Sequence, residues 1–203
     1  MKVALVGASG NIGMRVLGEL VSRGHSVTAI ARRQQVIAPG PKVTPKHGDA
    51  FDETGMAALL LGHDAVASSL PFAPGLARSM VDAVKRSGVR RYIMVGGAGS
   101  LEVAPGKQLK DTLTLPDGVR AIIEEGAKAL QLLRGEHELE WTFFSPAAEI
   151  GPGKRTGRFR LGGDQLVKDD EGKSRISYED YAMALVDELE EPRHIRRRFT
   201  IAY

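Results

Sequence analysis

Residues 3–6, Val-Ala-Leu-Val, form a continuous apolar run that stops at Gly7, and glycine recurs at positions 10 and 13 before an amphipathic stretch begins. The segment Gly7-Ala8-Ser9-Gly10-Asn11-Ile12-Gly13 therefore falls between a strand buried on both faces and a helix, with Ile12, Val16, Leu17, Leu20 and Val21 at helical spacing and Gly24 as the stop. In that setting each glycine has a separate task. Gly7 permits a tight turn, Gly10 lets the backbone approach a pyrophosphate, and Gly13 allows the helix to pack closely on the sheet. The helix N-terminus offers unpaired N–H groups and the positive end of its dipole to the phosphates. Ser26 to Ala31 reads as the next strand and completes a β-turn-α-β unit.

The alternation continues along the chain. A short strand is expected near Val43, a helix over Asp52 to Leu61, a strand over Ala65 to Ser69 and a helix from about Gly75 to Arg86. Arg91 to Val95 forms a fifth strand that ends at Gly96-Gly97. Polar residues, Gly and Pro then predict a long loop up to Gly118. A helix over Val119 to Arg134 and a strand over Glu140 to Phe144 follow, and Gly151 to Gly163 has little periodicity of either kind. Ser177-Tyr178-Glu179-Asp180 has the form of an N-terminal cap on a last helix, and Phe199 to Ala202 closes as a strand. This order predicts an α/β fold: a Rossmann-like doubly wound parallel sheet with helices on both faces and a small loop-rich C-terminal lobe. One domain over residues 1–203 is expected, with residues 146–177 contributing the lobe that meets the substrate.

Cofactor selectivity is read at the end of the second strand. An acidic residue there hydrogen-bonds the ribose hydroxyls of NAD, whereas this chain has Arg32 and Arg33. A guanidinium cannot accept those protons but pairs with a 2′-phosphate, so NADP(H) is preferred over NAD(H). Asp49, with Ala50 beside it, is placed to accept from the adenine amino group; a helix cap is the competing role. Ser68, Ser69 and Leu70 end the fourth strand and Gly96 and Gly97 the fifth, so both sets are expected at the carboxyl edge of the sheet, flanking the cofactor.

Composition removes other chemistries. The 203 residues include no Cys, which excludes disulfides, thiolate catalysis and Cys-ligated zinc, and the five His are scattered, so no metal is expected. No apolar run approaches the roughly 18 residues of a membrane span, and the first residues are too short an apolar stretch for a signal peptide; a cytoplasmic protein without membrane contact is expected. The formal net charge is only +3. The basic clusters at Arg193 to Arg198 and at Lys154, Arg155, Arg158 and Arg160 lack interleaved aromatics, so they read as solvated charge and no nucleic-acid partner is expected. Monomer and homodimer stay equally open.

The glycine turn, Ala31-Arg32, Gly48-Asp49, the run Trp141-Thr142-Phe143-Phe144-Ser145-Pro146-Ala147-Ala148-Glu149-Ile150-Gly151, and the tail from Arg175 through Asp180-Tyr181-Ala182 to Tyr203 together resemble the NmrA-like, atypical short-chain dehydrogenase/reductases. Within them the chain is similar to the small NAD(P)H-binding proteins of the NADH-flavin reductase and biliverdin-IXβ reductase kind. The resemblance implies that Ser145, Pro146 and Ala147 border the nicotinamide, and that Glu149 is a substrate-facing group unless it forms a loop ion pair with Lys154 or Arg155. The Tyr-x-x-x-Lys pair of tyrosine-dependent relatives does not occur: four residues after Tyr92, Tyr178 and Tyr181 stand Gly96, Ala182 and Leu185. The serine that biliverdin-type relatives carry after strand five aligns with Gly97, leaving Ser100 as the nearby hydroxyl and, with Glu149, the candidate catalytic group. A carbonyl reduction needs a proton delivered to an alkoxide, whereas a flavin or quinone delocalises the added charge. The expectation is an NADPH-dependent oxidoreductase acting on a flat aromatic or conjugated small molecule, positioned by Ser69, Gly97, Pro146 and Glu149 with Phe144 as a stacking surface. A non-catalytic NADP(H)-binding regulator, or an enzyme for a specialised aromatic metabolite, is the alternative.

Overall fold

The computed structural model describes residues 1–203. In chain order its strands and helices are β1 (Lys2–Val6), α1 (Asn11–Ser22), β2 (Ser26–Ala31), β3 (Val43–His47), α2 (Glu53–Leu60), β4 (Ala65–Ser68), α3 (Leu76–Arg86) and β5 (Arg91–Val95). There follow β6 (Glu102–Ala104), β7 (Lys107–Gln108), α4 (Asp117–Arg134), β8 (Glu140–Ser145), β9 (Glu149–Gly151), β10 (Arg160–Gly162), β11 (Arg175–Ser177), α5 (Tyr178–Glu190) and β12 (Arg197–Ala202). Eight strands make one sheet in the order β10-β12-β8-β5-β4-β1-β2-β3, parallel throughout except for β10. The chain runs outward from β1 through β2 to β3 and then crosses back to place β4 on the other side of β1. That reversal opens a crevice at the carboxyl ends of β1 and β4.

Successive strand residues point to opposite faces, and each face has its own core. Val3 and Leu5 of β1 pack with Val16, Leu17 and Leu20 of α1 and with Tyr181, Leu185 and Leu189 of α5. Ala4 and Val6 pack on the other side with Met56 and Leu60 of α2, Met80 and Val84 of α3, and Leu130 and Leu133 of α4. The doubly wound fold with helices on both faces is thus the observed one. The margins of the sheet are unlike its centre. β3 carries Pro45 and Lys46, and β10 is a three-residue strand beginning at Arg160.

Several boundaries differ from the sequence expectation. The segment after Gly97 is an ordered hairpin, β6 and β7, followed by a 3-10 turn over Leu109–Thr112; strands of two and three residues are too short to show a period. Helix α4 starts two residues early, at Asp117, with Pro116 as its N-cap. β10 lies inside the stretch that showed no periodicity. In the same C-terminal region β9 and β11 pair in parallel as a separate small sheet, and Ser177 caps α5 by accepting from the Asp180 N–H at 3.0 Å. Asp180 then secures the preceding loop: Oδ1 accepts from the Thr156 and Gly157 N–H groups at 2.8 and 2.9 Å, and Oδ2 from the Thr156 and Tyr203 hydroxyls at 2.6 and 2.9 Å. Arg155 adds a two-pronged contact to Glu19 of α1, at 2.8 and 2.9 Å.

Candidate functional site

Two of the three glycines in the first turn are required by sterics alone. Gly7 has φ +81°, and a Cβ on it would lie 2.1 Å from the Ser69 carbonyl oxygen. A Cβ on Gly13 would lie 2.2 Å from the Gly7 carbonyl oxygen, so a side chain there would lift α1 off the turn. Gly10 is different. Its backbone is extended, and the nearest neighbour of an added Cβ is the Gly7 oxygen at 3.5 Å, so the space above it is open. The Gly7 and Ala8 N–H groups donate to the Ile30 carbonyl at 2.9 and 3.2 Å, which ties the turn to β2. The N–H groups of Ser9, Asn11, Ile12 and Gly13 have no protein acceptor, and no side chain caps α1. An exposed set of donors at a helix N-terminus, over an open glycine, is a fitting cradle for a pyrophosphate.

A cleft of about 610 Å³ runs from this turn along the carboxyl ends of β1 to β4. Gly7, Ser9 and Gly10 form one end of its wall, and Arg32, Arg33, Asp49 and Ala50 form another. Arg32 and Arg33 are exposed and their guanidiniums pair with no carboxylate; their carbonyls are engaged, that of Arg32 by His47 Nδ1 at 3.1 Å and that of Arg33 by the Val36 N–H at 3.4 Å. Asp49 accepts from the Phe51 N–H through Oδ1 at 3.0 Å. Helix α2 is capped by Asp52 instead, which accepts from the Gly55 N–H. Ser69 and Leu70 line the third side of the cleft.

Other expected residues lie elsewhere. Ser68 precedes Ser69 by one position on an extended strand and therefore points to the opposite face, where its buried hydroxyl shares a 2.8 Å hydrogen bond with the Tyr92 hydroxyl. Gly96 and Gly97 end β5 next to the end of β8, with the Gly96 N–H donating to the Phe144 carbonyl at 2.7 Å. They continue the same sheet edge beyond Ser69 but do not line the cleft. Ser145, Pro146 and Ala147 are buried in this edge, and the Ser145 hydroxyl has no partner. Ser100 is also buried, its hydroxyl accepting from Arg198 Nη1 at 3.0 Å, so it is a structural anchor and not a group poised over a substrate. Glu149 is exposed on β9; the ion pair weighed for it does not form, because Arg155 is bound to Glu19.

Phe144 departs furthest from expectation. Its ring is fully buried between Tyr181 and Phe199, with centroids 4.1 and 4.0 Å away, and offers no face to a ligand. The aromatics near the cleft are Phe51 on its wall, 57% exposed, and Phe72, whose ring packs against Gly126 of α4 and close to Gly97. Pro71, Ala73 and Leu76 complete the wall. The sequence signal for this group was the run Leu70-Pro71-Phe72-Ala73-Pro74-Gly75, where two prolines directly after a strand mark a stiff loop at the sheet's carboxyl edge. All four tyrosines lie outside the cleft wall. Burial pushes the Tyr92 and Tyr181 phenols well above their ordinary value; Tyr181 donates to the Phe144 carbonyl at 2.6 Å and Tyr203 to Asp180, while Tyr178 lies under the Arg15 guanidinium.

No helix is long and apolar enough to cross a membrane, and no group of three or more His, Asp or Glu side chains is placed to hold a metal ion. Residues 7–192 match the model of a family described as NAD(P)H-binding. Among solved structures the chain is similar to a proposed exported protein from Burkholderia pseudomallei, 47% identical with TM-score 0.89 and all of both chains covered. It is also similar to a proposed epimerase from Bacteroides thetaiotaomicron, 41% identical with TM-score 0.95, over 100% of this chain and 96% of that one. A third is a proposed NADH-flavin reductase from Streptococcus pneumoniae, 35% identical with TM-score 0.85, over 100% and 99%. The three names disagree about activity but accompany one fold. With the glycine cradle, the crevice at the β1/β4 reversal and this match over nearly its whole length, the chain belongs to the NAD(P)H-binding family, NmrA-like in kind, and has its oxidoreductase-type Rossmann fold.

Proposed function

We propose that this protein is an NADPH-dependent oxidoreductase whose acceptor is a flat conjugated molecule of the flavin or quinone class. The observation that carries the cofactor half is the pair of uncompensated guanidiniums, Arg32 and Arg33, on the cleft wall at the end of β2. They complement a 2′-phosphate and, having no acceptor, cannot take the protons of a ribose diol as a carboxylate does. The free N–H groups of Ser9, Asn11, Ile12 and Gly13 hold the pyrophosphate above Gly10, and Asp49 with Phe51 receives the adenine, the carboxylate accepting from its amino group and the ring covering its face. Bound this way, the reduced nicotinamide supplies a hydride, and an acceptor of this class takes the accompanying proton from water. The placement of all four tyrosines away from the cleft supports an acceptor of that kind, because the chain then has only to position and to exclude solvent. Gly97, Phe72 and Glu149 are the groups that shape the acceptor's place beyond the nicotinamide.

The test is oxidation of NADPH and NADH by FMN, riboflavin and quinones, followed by loss of the reduced nicotinamide absorbance, with binding titrated in the same samples. Arg32→Glu weakens NADPH on the order of 10- to 100-fold and leaves NADH within about twofold. Equal losses for the two cofactors overturn the 2′-phosphate role. Tight NADPH binding without turnover on any acceptor replaces the reductase with an NADP(H)-binding regulator.

A further inference from the structure

At the opposite, amino edge of the sheet a second recess of about 580 Å³ is lined by Arg134, Arg196, Arg197 and Arg198 together with Gly163 and Asp164. The sequence alone makes this cluster look like solvated charge, but the structure gives it an interior. Arg196 has φ +55° and is the one non-glycine residue with a positive φ. Its N–H donates to the Trp141 carbonyl at 2.6 Å, and its guanidinium to the carbonyls of His137 and Leu139 at 2.6 and 3.2 Å. A residue held in a sparsely populated conformation by this many bonds is a built feature. It turns the chain so that Arg198 goes in and Arg197 stays out. Arg198 is buried, with Nε on Asp164 Oδ1 at 2.6 Å and Nη1 on the Ser100 carbonyl and hydroxyl at 3.1 and 3.0 Å. Arg134 reaches the same Asp164 oxygen at 2.9 Å.

The charge in the recess is one-sided. Four guanidiniums face a single half-exposed carboxylate, Asp164, and the Arg197 side chain has no partner. Two further acids act near the lining: Glu188, which is buried and turned toward Arg91 and His194, and Glu102, on the strand beside Asp164, whose charge reaches Arg198. Burial, helped by the neighbouring Arg134 charge, pulls the Arg198 guanidinium below its ordinary value even with Asp164 and Glu102 near it. The N–H groups of Gly163 and Asp164 have no protein acceptor, and a Cβ on Gly163 would touch nothing, so backbone donors are exposed next to the guanidiniums. Trp141 is 3% exposed and offers no ring to stack a base.

We propose that this arginine recess is a binding site for a compact oxyanion of the phosphate class, distinct from the cofactor cleft. Arg197 and Arg134 contact the anion directly, Arg198 supplies buried charge beneath it, and the Gly163 and Asp164 N–H groups complete the cradle. The probe is inorganic pyrophosphate, titrated calorimetrically at low salt into NADPH-saturated protein and into Gly10→Val protein, whose side chain fills the space above the turn, so that the recess is read with the cleft closed to phosphate in two independent ways. Binding is expected in both. Arg197→Ala, which removes an exposed side chain without a partner and leaves the melting temperature unchanged, weakens it about tenfold or more, and Arg134→Ala does the same. No binding to either protein overturns the proposal, as does binding that Arg197→Ala and Arg134→Ala leave intact. A single-stranded oligonucleotide that binds more tightly than pyrophosphate and competes with it overturns the compact-ligand reading in favour of a nucleic-acid surface.

Discussion

Gly7, Gly10 and Gly13 look equivalent in the sequence and are not equivalent in space. Gly7 and Gly13 are demanded by neighbours 2.1 and 2.2 Å from a Cβ, whereas Gly10 is demanded only by what is to lie above it. Gly10→Val therefore leaves the thermal unfolding transition near that of the parent and lowers affinity for NADPH and NADH alike by at least about 100-fold, while Gly13→Val lowers the yield of folded protein. Circular dichroism melts and cofactor titrations separate the two, and an unaltered affinity in Gly10→Val would falsify the cradle. The spacing of these glycines, and the arginines after β2, were legible because local geometry dictates them. The direction of single side chains was not. Ser68 and Ser69 are consecutive on one strand end, and a shift of one residue decides which of them meets the cleft. Phe144 is removed from the site by Tyr181 and Phe199, residues distant in sequence that no local pattern could pair with it.

At the scale of elements, one buried carboxylate ties the loop before β10 to the start of α5 and to the last residue of the chain. Burial alone would raise the Asp180 carboxyl, but the Thr156, Gly157 and Tyr203 donors outweigh it and leave it below its ordinary value. A carboxyl lowered by folding stabilises fully above its unfolded value, about 3.9, and loses that contribution as the pH falls through the lower folded value. Exchange of the Thr156 and Gly157 amides, corrected for the intrinsic rate, accordingly rises relative to β1 amides below about pH 4. Asp180→Ala produces the same loosening at neutral pH and costs roughly 1–3 kcal/mol in urea unfolding, since its donors lose a buried acceptor. Ser177 as the helix cap could be read from the sequence. The small sheet of β9 and β11, and β10 beside β12, could not, because three-residue strands exist only through the partners that pair with them.

For the whole molecule, the repeated β/α order was enough to foresee the doubly wound sheet, but not what joins its far half together. Glu188 of α5 accepts from Arg91 of β5 at 2.9 Å and from the backbone N–H groups of Arg193 and His194 at 3.2 and 3.0 Å, binding helix, sheet and the approach to β12 at one buried point. Glu188→Leu leaves Arg91 charged and unpaired in the interior and costs about 3–5 kcal/mol, measured by urea unfolding; Arg91→Met on that background recovers part of the loss. A loss below about 1 kcal/mol for Glu188→Leu would show that the pair is dispensable. The margins of the sheet bear on a different matter, the behaviour of many copies together. β3 places a proline, which has no N–H to give, and a lysine where a stranger's strand would have to pair, and β10 ends the other side after three residues. Along these two margins crowded copies therefore meet as finished objects, since neither offers a long unbroken row of donors for a fibril to copy.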